Sequence, residues 1–372
     1  MNRIVLIGNG FDLAHGLNTS YKDFICWYWN KWGEKLLSSP NKKESDGLCS
    51  FSLNESIGLA GWYLVWGHKY YYLKRNPIEA FNPNDIIKVA KEDKNLCEFK
   101  YIGPLLQRIN QSIETKRWVD IENEYQSLLF QQKLSQQGNI IMPDYKFLNL
   151  QLDYLQMMLI QYLELESKKE TPKIEEIRDK IYRPIKEREI SVTYKGSVDK
   201  SFLKKKEPSA IMLLNFNYTK TPEQYVTNAS RVKVNYIHGK LDTPKSIIFG
   251  YGDESERGFN TLSCQDEKEC LQHIKSIRYL ESDNYRRLME FVESEPYQII
   301  IMGHSCGYSD GILLHTLFEH RNCISIVPYY YFDKENKEDH HLELIQSISH
   351  NFTDKILMRD RVVNKEFCEP LT

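Results

Sequence analysis

The sequence predicts an α/β chain, a parallel sheet with helices on both faces, interrupted after its first strand and helix by a large helical insertion. Three observations carry that prediction. Short apolar runs rich in β-branched residues occur at the amino terminus and again after residue 208, as buried parallel strands do. Helical or loop stretches separate the later runs, as crossovers between parallel strands require. Between the two regions, from about 50 to 188, the periodicity is mainly helical, with little that reads as strand. The reading assigns 1–37 and 208–372 to the sheet domain and 38–207 to the insertion, a cap.

The first strand is Ile4-Val5-Leu6-Ile7, closed by Gly8-Asn9-Gly10. Strand, glycine turn and helix can cradle a phosphate, because glycines let the backbone approach and free N–H groups point at the anion. Only G-x-G is present, with Leu13 where a third glycine would sit, so an ordinary turn between strand and helix is the competing reading. Ser20 with Asp23 three residues on is a capping-box signature. It opens a helix from about 21 to 37, whose Phe24, Tyr28 and Trp32 recur every four residues on a wide apolar face.

Within the insertion, Trp62, Tyr63, Trp66 and Tyr70 make one helical stripe, and Leu105, Ile109, Ile113 and Trp118 a second. Leu148, Leu152, Leu155, Leu159 and Leu163 make a third; all three read as helix–helix core. A strand signal at 190–193 lies in a connecting piece. Further strands are predicted at 210–214, 232–237, 247–249, 298–302 and 324–331, with helical or loop segments between them, including 266–293.

Composition narrows the partners. The chain of 372 residues carries 49 basic and 51 acidic side chains, a net charge of −2, which calls for neither nucleic acid nor an anionic membrane. The triplet Lys204-Lys205-Lys206 reads as a solvated loop. The eight cysteines form no C-x-x-C pair and no zinc-type spacing, so no metal and no secreted disulfide framework is expected. Cys26 and Cys323 sit in apolar patterns as core fillers. The amino-terminal apolar run is too short for a signal peptide, and no window approaches the roughly 20 apolar residues of a membrane span. A soluble, cytoplasmic protein is expected.

Three further motifs each follow a strand signal. Asn215-Phe216-Asn217-Tyr218-Thr219 puts asparagines at the carboxyl edge of the sheet, where α/β proteins bind ligands; an Asx-turn leaving the strand is the alternative. Tyr236-Ile237-His238-Gly239 offers an imidazole at that edge, with an ordinary pKa near 6.5 that suits proton transfer, or a structural histidine. Gly303-His304-Ser305-Cys306-Gly307 matches the G-x-S-x-G nucleophile elbow, which makes a serine hydrolase with Ser305 a rival. Against it, Gly307-Tyr308-Ser309-Asp310 reads as a turn, and helical periodicity starts only at Ile312. Asp333, His340 and His341 are the late candidates for its partners.

Together GNGFD, NFNYT, YIHG and GHSCGYSD, in this order and each at a strand end, resemble the AbiH family of bacteriophage abortive-infection proteins, within the sirtuin-like superfamily. The resemblance covers about 2–24 and 213–318, and 117–122 of the insertion also looks like a family feature. It implies a Rossmann-like sheet of sirtuin-like type and an antiphage effector that hydrolyses NAD or a related nucleotide. It further implies that Gly8, Asn9 and Gly10 hold the diphosphate, that Asn217 orients the ribose and water, and that His238 is the general base. Gly303, Ser305 and Asp310 would contact the ribose side, and Asp12 would bond a ribose hydroxyl or cap the turn at Leu13. Three departures stand out: Asn9 replaces a usual alanine, Asp12 a usual serine, and Thr219 an aspartate. A non-catalytic nucleotide-binding sensor is the second reading. A homo-oligomer or another defence component is the expected partner.

Overall fold

The computed structural model describes residues 1–41, 43–53, 97–116, 120–131, 133–134, 140–141, 144–197, 207–227, 231–252 and 268–372. The Trp62–Tyr70 stripe, Trp118, 117–119 of the family-like segment and the lysine triplet lie outside the described residues. The chain divides into two compact units, Met1–Thr19 with Leu163–Thr372, and Ser20–Tyr162.

The first unit holds a five-stranded sheet of β1 (Asn2–Ile7), β2 (Ile211–Asn215), β3 (Val232–Tyr236), β4 (Tyr297–Met302) and β5 (Cys323–Tyr329). Every pairing is parallel and the spatial order is β5-β4-β1-β2-β3. That is a Rossmann-like, doubly wound order, with its switch point between β1 and β4. Alternation along the strands sends side chains to two separate cores. Ile4, Leu6, Leu214, Ile299 and Ile301 join Leu288 and Val292 of the helix Asn284–Ser294, and Leu313, Leu314 and Leu317 of the helix Gly311–Glu319. Val5, Ile7, Leu213, Ile300 and Met302 join Phe11, Ile177 and Ile181 on the opposite face. Both faces are therefore covered, which is why β1, β2, β4 and β5 read as largely apolar runs, while β3 at the sheet edge keeps Lys233 exposed.

Two predicted strands in this unit are not strands. At 247–249 the apolar residues are buried, but the Ile248 N–H donates to the His238 carbonyl, and the Ile248 carbonyl accepts from the Tyr218 hydroxyl. Loop and side-chain partners thus satisfy the backbone there. At 190–193 the chain turns into the helix Val192–Ser197, because the carboxylate of distant Asp360 caps it, accepting from the Val192 and Thr193 N–H groups at 2.7 and 3.3 Å. A cap supplied from 168 residues away leaves no local sign.

In the second unit Ser20 caps the helix Tyr21–Ser38, accepting from the Asp23 N–H, as its spacing predicts. Phe24, Tyr28 and Trp32 are buried along it. The leucine stripe falls on the helix Tyr145–Glu166, with Leu148, Leu152, Leu155, Leu159 and Leu163 all buried. Asp120 caps the helix Ile121–Leu129 by accepting from the Asn123 N–H. The insertion is not nearly free of strands. Lys43–Ser45, Cys49–Leu53 and Cys97–Tyr101 form an antiparallel sheet, and Lys133–Leu134 pairs with Ile140–Ile141. Cys49 and Phe51 are buried while Ser50 and Ser52 are half-buried, a period of two over too few residues to outweigh the helical stretches around it. Among the described residues no helix is long and apolar enough to cross a membrane.

Candidate functional site

In-register pairing brings Ile7, Asn215, Tyr236 and Met302 into one row across β1, β2, β3 and β4. The residues that follow them start four loops at the same carboxyl edge. The four sequence motifs therefore converge although nearly 300 residues separate the first from the last.

The glycines of two of these loops pack backbone against backbone. Gly303 has φ of +73°, and a Cβ there would lie 2.1 Å from the Phe11 nitrogen. A Cβ on Gly8 would meet the His304 Cα at 2.6 Å, and one on Gly10 the Gly303 Cα at 2.9 Å. The Gly10 N–H donates to the Gly303 carbonyl at 2.8 Å and the Gly8 N–H to the Met302 carbonyl at 3.3 Å. Close approach at the switch point thus accounts for all three glycines. The short helix Asn9–Ala14 begins directly after Gly8.

Two polar clusters flank this seam. In the first, the Asn217 amide donates to the Gly8 carbonyl at 2.9 Å, and its N–H is held by the Asn215 side chain, the Asx-turn the sequence allows. Asp12 is 1% exposed; its Oδ2 accepts from the Thr219 hydroxyl at 2.6 Å, and its Oδ1 has no hydrogen-bond partner among the described residues. Burial raises this carboxyl to about 6, against the lowering pull of Thr219, Thr221 and Asn217. Asn9 is half-buried and accepts from the Thr19 hydroxyl.

The second cluster centres on Asp310. Its Oδ1 meets the Lys275 ammonium at 2.9 Å and His238 Nε2 at 3.2 Å, and its Oδ2 meets His304 Nε2 at 3.5 Å. The Cys306 N–H donates to His304 Nδ1, so His304 carries its proton on Nε2, facing the carboxylate. Tyr279 bonds His238 Nε2 at 3.1 Å, and the Phe216 ring lies 5.3 Å from the His238 ring and 4.1 Å from that of His304. Burial alone would raise Asp310, but the Lys275 charge and the imidazoles hold its carboxyl well below the usual range. Burial, helped by Lys275, lowers His238 against the opposing pull of Asp310, so its imidazole is neutral at neutral pH. A neutral ring whose Nε2–H points at a carboxylate keeps Nδ1 as its basic nitrogen. A cavity of about 250 Å³ opens beside this cluster, lined in part by Lys275, Tyr279, Ser309 and Asp310.

A family model described as "Bacteriophage abortive infection AbiH" matches residues 4–332, which include every residue of both clusters. The chain belongs to the AbiH family. It therefore falls among proteins of phage abortive-infection defence. No curated protein matches it.

This AbiH chain brings His238 and Asp310 into contact and gathers Asn217 and Asp12 near Gly8, while the His238 ring and the Asn217 amide bond different partners. Sequence reasoning passed over His304, Lys275 and Tyr279. His304 lies inside the G-x-S-x-G string, and Lys275 and Tyr279 are four apart, a helical spacing in a stretch with no other pattern. Ser305 is exposed, and the helix Gly311–Glu319 begins six residues beyond it. Apart from Gly303, the left-handed residue of this loop is Cys306, at φ of +54°, with its thiol buried and raised by that burial. A nucleophile elbow needs its strained turn at the serine and the helix directly after it, so this loop does not build one.

Proposed function

We propose that this chain is an abortive-infection effector of sirtuin-like type that hydrolyses NAD, or a related nucleotide, at the bond between nicotinamide and ribose. The observation that carries the reading is a neutral His238 bonded to an ionised Asp310 at the carboxyl edge of a Rossmann-like sheet. Cleavage passes through an oxocarbenium-like state, as in glycoside hydrolysis. The carbon–nitrogen bond breaks with its electron pair on the departing base, and a water oxygen bonds the ribose carbon. His238 takes the water's proton on Nδ1, and Asp310 orients the ring and stabilises the imidazolium that forms.

In this reading Asn217, anchored on the Gly8 carbonyl, orients the ribose and water, and Asp12 bonds a ribose hydroxyl. Gly303 and Ser305 lie on the ribose side. For Gly8-Asn9-Gly10 to hold a diphosphate, the bonds from Gly8 and Gly10 to Met302 and Gly303 must open. Depleting the nucleotide would halt phage growth in the infected cell.

The test is nicotinamide release from NAD by the purified protein beside His238→Ala, Asp310→Asn and Asn217→Ala. Loss of a general base is expected to lower turnover about 10²–10⁴-fold. Equal turnover in all four proteins would remove the assigned roles. Tight calorimetric binding of NAD without product would instead favour the non-catalytic sensor.

A further inference from the structure

Two rungs join the short helix Asn9–Ala14 to the chain that follows β2. One is the bond from the Thr219 hydroxyl to Asp12 Oδ2, backed by the Thr221 hydroxyl, which donates to that of Thr219 at 3.3 Å. The other lies about one turn further along each element, between His15 and Tyr225. His15 Nδ1 is 2.7 Å from the Phe11 carbonyl, and its Nε2 is 2.6 Å from the hydroxyl of Tyr225, the last residue of the 3-10 helix Thr221–Tyr225. A carbonyl only accepts, so Nδ1 carries the imidazole proton and Nε2 accepts from Tyr225. Burial lowers His15 against the pull of the Phe11 bond, and burial, helped by Glu175, raises Tyr225 against the Ile174 bond. The ring is therefore neutral and the hydroxyl protonated, the states this pattern needs. Phe11 closes a triangle of buried rings, 4.6 Å from His15 and 5.7 Å from Tyr225. Tyr225 is also fixed from a third element: its hydroxyl accepts from the Ile174 N–H at 3.0 Å and its carbonyl from the Tyr182 hydroxyl at 2.6 Å. The proposed reaction uses neither His15 nor Tyr225.

We infer that His15 is a positioning residue: through Tyr225 it clamps the helix Asn9–Ala14 to the chain after β2 and keeps the Asp12 carboxyl closed off from water. The inference rests on the nucleotide reading above only for what Asp12 bonds. Without the outer rung the inner one opens, water reaches Asp12, and the burial that raises its carboxyl is relieved.

The experiment follows the Asp12 carboxyl by carbon-13 NMR titration of the full chain. Its variants are Tyr225→Phe, which removes only the hydroxyl, and His15→Gln, whose amide oxygen keeps an acceptor for Tyr225. In Tyr225→Phe the carboxyl is expected to fall from about 6 toward its ordinary 3.8, by about one unit or a tenfold drop in proton affinity. His15→Gln should restore most of the difference; an equal fall in both variants would assign the effect to lost packing and overturn the inference. So would an unmoved Asp12 in Tyr225→Phe, even where that variant melts earlier, because a merely structural contact lowers stability alone. The wild type supplies a check that needs no variant: nitrogen-15 imidazole spectra should place the His15 proton on Nδ1, and a proton on Nε2 overturns the clamp. With NAD, Tyr225→Phe should raise KM several-fold at a nearly unchanged kcat, as lost uniform binding does. An Asp12 shift in a chain that releases no nicotinamide keeps the positioning role and removes the hydrolase. Release with an unmoved Asp12 does the reverse.

Discussion

Asp12 and Asp310 sit at the same sheet edge, either side of the β1–β4 seam, and burial acts on both. They end in opposite states. Asp12 has only neutral donors, and burial raises it to about 6; Asp310 has Lys275 and two imidazoles and is held well below the usual carboxylate range. The difference teaches that at this edge a cation, not depth, decides which carboxyl is ionised. One fold thereby holds a near-neutral acid and a permanent anion side by side, the separation of roles that acid–base chemistry needs.

The strongest way to break the contrast is to remove the cation. Lys275→Met leaves Asp310 as a buried carboxylate without its ammonium, and unpairing a buried ion pair costs about 3–5 kcal/mol. Denaturant titration at neutral pH measures that loss. Because Asp310 is depressed in the folded state, it adds stability at neutral pH that disappears as pH falls below the ordinary carboxylate range. The variant should lack most of that acid-side loss. Its His238 should titrate higher than in the wild type, since Lys275 lowers it, and imidazole NMR reads the shift. An unmoved His238 together with unchanged stability would show that Lys275 does not govern this cluster.

Asp12→Asn acts on the other side and should stabilise. An acid raised from 3.8 to about 6 in the folded state opposes folding once the unfolded chain ionises and the folded one does not. The penalty is absent below about pH 4 and complete above about pH 6, where it amounts to roughly 3 kcal/mol at most. The variant should therefore unfold at higher urea than the wild type at pH 8 and match it near pH 4. Equal curves at both pH values would mean that Asp12 is ionised as easily as in water.

How much of this was legible in the chain depends on where each interaction's partner lies. β1, β2, β4 and β5 show as apolar runs, because a strand covered on both faces needs no polar alternation, whereas edge strand β3 alternates with Lys233 exposed; Ser20 with Asp23 announces a cap made within four residues. The motifs at the strand ends mark the edge for the same local reason. The helix at Val192 depends on Asp360, and Asp310 depends on Lys275, 35 residues earlier in an irregular stretch; neither partner leaves a mark beside the residue it controls. The three glycines were visible, yet their packing against one another required knowing that β1 and β4 are neighbours. A glycine turn looks the same in sequence whether it faces a phosphate or another loop.

The finest probe is Thr219→Val, which keeps the shape of the side chain and removes the hydroxyl that donates to Asp12. A hydrogen bond to a carboxylate is worth about 1.5–3 kcal/mol and one between neutral groups about 0.5–1.5. The variant should lose roughly 1 kcal/mol more at pH 8, where Asp12 is ionised, than at pH 4, where it is not. Its Asp12 should also titrate above the wild-type value, since Thr219 is the largest of the groups that lower it. In an Asp12→Asn background the pH dependence of the Thr219→Val loss should vanish, because the titrating group is gone. If it persists there, Thr219 acts through something other than Asp12, and the near-neutral carboxyl is not what sets this cluster apart from Asp310.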